Sequence, residues 1–191
     1  QLSGSERLWT ANARMIGGEA YRLIGNGGYD LGARGWQIHQ GLNALQHVDE
    51  QALHQIQLDN RALMLQRWRD LLLEVLDSET VEQHQLQSYR QFIVNSTQRA
   101  ATDDVGYSLV RAFRLQLLQL QFAPLSAYLE QHGARSQDLK YPLEAPMWQL
   151  LQHRRPDTLP PGFSDWPALL LAAVLQSKTE LEQQYGSLAQ S

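Results

Sequence analysis

Six histidines, His39, His47, His54, His84, His132 and His153, are the side chains of this sequence best suited to move a proton or hold a metal near neutral pH. A metal site needs several ligands converging on one ion. His47 and His54 lie seven apart, a spacing that suits one helix face, yet no carboxylate at metal spacing completes a trio. The sequence therefore predicts no metal site. The absence of cysteine excludes disulfides and thiolate chemistry. Asp103-Asp104 reads as a helix N-cap, not as a calcium pair. Gly25, Gly27, Gly28 and Gly32 lack both a Walker lysine and the G-x-G-x-x-G spacing, so they read as a turn and not as a phosphate loop. Asp30 and Arg34, four apart, suit an ion pair at a helix start. Arg154-Arg155 is too short a basic run for a nucleic-acid footprint. The tryptophans at 9, 36, 68, 148 and 166 sit on or beside apolar stripes and read as core packing. Residue types and spacing assemble no catalytic constellation.

Composition bounds the setting of these residues. With 191 residues, 43% hydrophobic and 19% charged, the chain can bury a sizeable core and has the balance of a globular protein. A net charge of −4 gives no electrostatic reason for binding nucleic acid or an anionic membrane. No apolar run approaches the roughly 20 residues that cross a bilayer. The first residues lack the basic and apolar regions of a signal peptide.

The elements that must position these groups are mostly helices. Leu8 to Met15 reads as a β-strand, followed by the glycine-rich turn and an amphipathic helix ending near Leu42. From Asp49, an N-cap, apolar residues at Leu53, Ile56, Leu63, Trp68, Leu71, Leu72, Val75 and Leu76 keep close to a 3.6 period. A second start lies at Asp77-Ser78, leading to Leu86, Tyr89, Phe92 and Ile93, and Asn95 to Asp104 is a polar loop. The next helix begins near Val105; Pro124 ends or kinks it, and its stripe continues to a C-cap glycine at Gly133. A short helix spans Glu144 to His153, Pro156 to Gly162 is a rigid loop, and Ser164 or Asp165 caps a last helix reaching Tyr185-Gly186. The expected fold class is mainly α: an arm of strand, turn and helix start over residues 1–42, and a helical domain over 43–191.

Several of these segments carry a resemblance. Thr10-Ala11-Asn12-Ala13-Arg14, then Tyr29-Asp30, Arg34 and Ile38, resemble the T-A-N-N-R strand and R-x-x-x-I helix start of the penicillin acylase (penicillin amidase) family. Ile56-Gln57-Leu58-Asp59 is similar to its I-Q-x-D. Val105-Gly106-Tyr107-Ser108-Leu109-Val110-Arg111-Ala112-Phe113-Arg114 resembles the segment after the family's W-D-G region, and Leu169 to Gly186 resembles its late helix. Two departures stand out: Ala13 replaces the second asparagine, and Tyr89-Arg90-Gln91 replaces the tryptophan and glycine of W-D-G.

The resemblance implies an N-terminal nucleophile hydrolase of αββα fold, from whose β subunit these residues come. In that family a serine at the start of the β chain attacks the amide, with its own α-amine as base and backbone and asparagine donors holding the oxyanion. Those groups lie upstream of the matched segment. Gln1 has no hydroxyl or thiol, and Gly4-Ser5, a Gly-Ser pair like the one such precursors cleave, lacks the following asparagine, tryptophan and histidine. No catalytic residue is expected here. Asn12 is the one candidate for the acyl pocket, against a plain backbone hydrogen bond. No cofactor is expected in the segment, although the family often binds a structural calcium elsewhere. The implied partners are the α chain and the rest of the β chain, with a small N-acyl amide as substrate. Neither nucleic acid nor membrane is expected, and an orphan strand would seek a sheet or another copy of the chain. A parent of this family is periplasmic or secreted. The other reading is a free-standing all-α interaction module with Gln-rich docking faces.

Overall fold

Aspartates set four of the helix starts. Asp49, Asp77, Asp104 and Asp165 each accept a hydrogen bond at 2.8 Å from the backbone N–H three residues on, at Ala52, Thr80, Tyr107 and Ala168. Each bond satisfies one of the amides that the first helical turn leaves without an internal partner. In the computed structural model, which describes residues 7–14, 16–25, 28–134 and 143–187, the chain is mainly helical. The helices are α1 (Gly18–Ile24), α2 (Ala33–Ala44), α3 (Glu50–Gln57), α4 (Gln66–Val75), α5 (Ser78–Gln83), α6 (Gln87–Asn95), α7 (Val105–Gln131), α8 (Glu144–His153) and α9 (Trp166–Tyr185), with 3-10 turns at Leu63–Leu65 and Pro156–Thr158. They fall into two compact units, Gln1–Leu63 and Met64–Ser191.

In the first unit the arm lies along α2. Trp9 stacks on His39 with ring centroids 4.2 Å apart, and the Arg7 guanidinium donates to the Leu45 carbonyl at the end of α2. The Ala13 methyl lies 3.3 Å from where a β-carbon on Gly35 would stand, so the small residues let backbone approach backbone. The strand expected over Leu8–Met15 does not form among the described residues. Its whole pairing there is one isolated parallel bridge, Ala13 to Asp30, and Asn12 sits at φ 57°, in the left-handed region that interrupts an extended run. A strand needs a neighbour to take its backbone groups, and these residues have almost none. Gly18–Ile24, expected to be part of the turn region, is instead a short helix between glycines. Asp30 lies two residues before Gly32, the N-cap of α2, so its four-residue spacing to Arg34 is not helical and the expected ion pair does not form.

The boundary between the two compact units falls at Leu63. Gly41 of α2 faces Ile56 of α3, where an added β-carbon would meet the isoleucine at 3.2 Å, and this close packing joins α3 to the arm. The apolar period from Asp49 to Leu76 breaks between α3 and α4. There the Asp59 carboxylate takes the Arg61 backbone N–H at 3.1 Å and its guanidinium at 2.8 and 2.7 Å, closing a turn in place of helix.

The second unit is built around α7, which packs against α4, α6 and α9. Its buried side chains Leu109, Val110, Phe113 and Leu117 meet a core that includes Trp68, Leu72, Tyr89, Ile93, Leu169 and Val174. The Tyr89 hydroxyl and Ser177 hydroxyl share a buried hydrogen bond of 3.0 Å between α6 and α9, and burial raises the Tyr89 pKa further than that bond lowers it. Beyond α7, Gly133 at φ 80° directs its N–H to the Glu130 carbonyl while Ala134 bonds to Leu129, a left-handed helix stop.

Pro124 does not end α7; the helix runs seven residues past it. Its ring is exposed on the helix surface. Replacement by alanine restores the missing donor. Because proline costs about 3 kcal/mol in a helix interior, Pro124→Ala is expected to stabilise the chain by at least about 1 kcal/mol, seen as a higher urea midpoint. An unchanged or lower midpoint would show that the proline is fully accommodated.

Candidate functional site

A buried cluster of charge in the second unit forms where α4, α7 and α8 meet. Glu144, in the first turn of α8, is 2% exposed, and Oε1 and Oε2 both accept charge-assisted hydrogen bonds. Oε1 takes Arg67 at 2.7 Å, the Trp68 indole N–H at 2.7 Å and that of Trp148 at 3.3 Å. Oε2 takes Arg114 at 2.9 and 2.7 Å. The guanidinium of Arg67 lies 4.6 Å over the Trp148 ring, and Trp68 meets Trp148 edge to face at 4.8 Å. Burial alone would raise the Glu144 pKa, but the Trp68 indole and the two arginines hold it below the usual carboxylate range.

This arrangement has a structural chemistry. A general acid or base needs a pKa near the working pH and a lone pair or proton directed at substrate. Glu144 is locked in its ionised form, and five donor contacts occupy its oxygens. It ties three helices together and is poorly placed to exchange protons with a ligand.

A second polar knot sits at the start of α7. Asp104 is 7% exposed; besides capping the helix it accepts the Thr97 hydroxyl at 2.6 Å and the Ser96 hydroxyl at 3.1 Å. Burial raises its pKa, and these hydroxyls with the Tyr107 amide outweigh it, so the group stays ionised. The same bonds show why Asp103-Asp104 is a cap. Asp104→Ala should lose about 1–2 kcal/mol by thermal or urea unfolding, and a change within a few tenths of a kcal/mol would deny the cap this weight.

Asn12, the acyl-pocket candidate, is exposed, and its backbone carbonyl accepts the Asp30 N–H at 2.9 Å. The described structure brings no other polar candidate from the sequence to it. Gly4-Ser5 lies outside the described residues. His47 precedes the α3 cap while His54 is on α3, so the two do not share a helix face. Among the described residues no three His, Asp or Glu side chains converge as a metal site. Arg154 pairs with Glu74 and Arg155 with Asp157, both at the surface. Trp68 and Trp166 are buried as expected, but Trp36 is 55% exposed, a correction to its reading as core.

Sequence reasoning missed the Glu144 cluster. Its one local signal is Glu144 and Trp148 at helical i,i+4 spacing; Arg67 is 77 residues away. An open groove of about 1040 Å³ lies between α7 and the C-terminal half of α9, lined by Tyr107, Arg111, Leu115, Phe122 and Tyr185 among others. Gln116 and Glu180 hydrogen-bond within it.

Two of the landmarks that carry the family resemblance have structural roles. Asp59 closes the turn after α3, its carboxyl held well below the usual range by the Arg61 guanidinium. Gly106 lies where the start of α7 packs against Phe92 and Ser96 at the end of α6. The penicillin amidase family model matches residues 4–191. No curated protein and no solved structure matches the chain.

Proposed function

Since the chain belongs to the penicillin amidase family, a family of amide hydrolases, we propose that it is a non-catalytic helical portion of an N-terminal nucleophile hydrolase, downstream of the β chain's catalytic serine. The parent enzyme hydrolyses an N-acyl amide: the side chain of a β-lactam, an acyl-homoserine lactone or a related compound. The chain's part is scaffold and pocket wall, with Asn12 as the one candidate for the acyl side.

The observation that carries this reading is the family match over residues 4–191 combined with what the matched landmarks do. Asp59 closes the turn after α3, and Gly106 lets the start of α7 approach α6. The first unit adds support. Among its described residues Leu42 alone is a buried hydrophobic, whereas Leu8, Leu23, Ile24, Leu31, Trp36, Val48, Leu53 and Leu58 are exposed. So large an apolar surface on so few residues calls for a covering partner. On this reading the partner is the remainder of the acylase, whose sheet takes up Leu8–Met15 as a strand. The same reading puts the parent in the periplasm or outside the cell, and any structural calcium outside this segment. No helix among the described residues is long and apolar enough to cross a membrane.

The purified chain is expected to release no product from chromogenic N-acyl anilides or from an acyl-homoserine lactone. Turnover that survives repurification and disappears on denaturation would overturn the placement. Reading the coding sequence upstream of Gln1 supplies the complementary test: a Gly-Ser-Asn-like junction followed by a histidine is the expected result. The alternative, a free-standing helical interaction module, predicts instead that a chain truncated before Leu42 loses only the helical content of α1 and α2 and keeps its unfolding midpoint. The exposed apolar side chains of the first unit favour the enzyme reading, because a free-standing module would bury them.

A further inference from the structure

We draw no further inference here: the strongest candidate, the open groove between α7 and the C-terminal half of α9, is an unpartnered helix face, and nothing in the structure shows what covers it.

Discussion

Replacing Glu144 by alanine is expected to destabilise the second unit by about 3 kcal/mol, among the largest effects of any single change in this chain. Breaking a buried ion pair by removing one partner costs about 3–5 kcal/mol, because the remaining charge stays behind without compensation. Here one carboxylate serves two arginines. Arg114 is 12% exposed and cannot reach water without moving, while Arg67 is 48% exposed and partly can, which places the loss at the lower end. Two indole N–H groups also lose their acceptor. Glu144→Gln separates charge from shape. It keeps the volume and an acceptor for Trp68, and should lose about 2 kcal/mol, the scale of a hydrogen bond to a charged group.

The pH dependence follows from the direction of the Glu144 shift. The folded state holds the carboxyl below its ordinary value of 4.5, so the unfolded chain binds the proton more readily. Stability from this group is therefore complete above that value and declines as the pH falls through the lowered one. Urea unfolding followed by tryptophan emission, at several pH values below neutrality, measures both terms. The wild-type midpoint should fall faster with acid than that of Glu144→Gln. Equal midpoints at neutral pH and parallel profiles would show that the cluster contributes no net stability.

The contrast between these residues and the helix caps shows what a one-dimensional pattern carries. As caps, Asp49, Asp104 and Asp165 each serve an amide three residues on, so a capping aspartate before an apolar period suffices to place the helix start. Gly133 is similar, since its left-handed backbone serves the helix directly before it. Glu144 acts on Arg67 and Arg114 from other helices, and in sequence it is an ordinary acidic residue in a first turn. The break at Asp59–Arg61 escaped the helical period because a side-chain turn competes locally with the helix without disturbing the apolar spacing. The N-terminal strand failed to appear for the opposite reason. Its composition suits a strand, but a strand is a pairing, and the described residues offer it one isolated bridge. Trp36 follows the same logic: an aromatic beside an apolar stripe is buried only where something lies against it.

Gly106 tests whether the family's landmarks are packing constraints. Glycine inside a helix costs about 1 kcal/mol relative to alanine, so at an open helical site Gly→Ala stabilises. At Gly106 the sign should reverse. A β-carbon there would lie 2.3 Å from the Phe92 carbonyl oxygen and 2.6 Å from the Ser96 β-carbon. The first obstacle is backbone, which cannot rotate away, so α6 and α7 must separate. That separation disturbs Ser96 and Thr97, which bond to Asp104, and the buried pair of Tyr89 and Ser177. Overpacking of this kind costs about 1–3 kcal/mol, occasionally more. Gly106→Ala should therefore lose about 2 kcal/mol despite its better helix propensity, and Gly106→Val, with more bulk and less propensity to offset it, should lose more. Gly41 provides the control. A β-carbon there meets only the Ile56 side chain, at 3.2 to 3.6 Å, and rotation of that isoleucine can relieve it. Gly41→Ala should fall within about 1 kcal/mol of wild type, propensity and crowding nearly cancelling. Denaturation midpoints of the three variants decide the matter. If Gly106→Ala matched or exceeded the wild type, the glycine of Val105–Arg114 would have no packing role, and its place in the resembling segment would need another explanation.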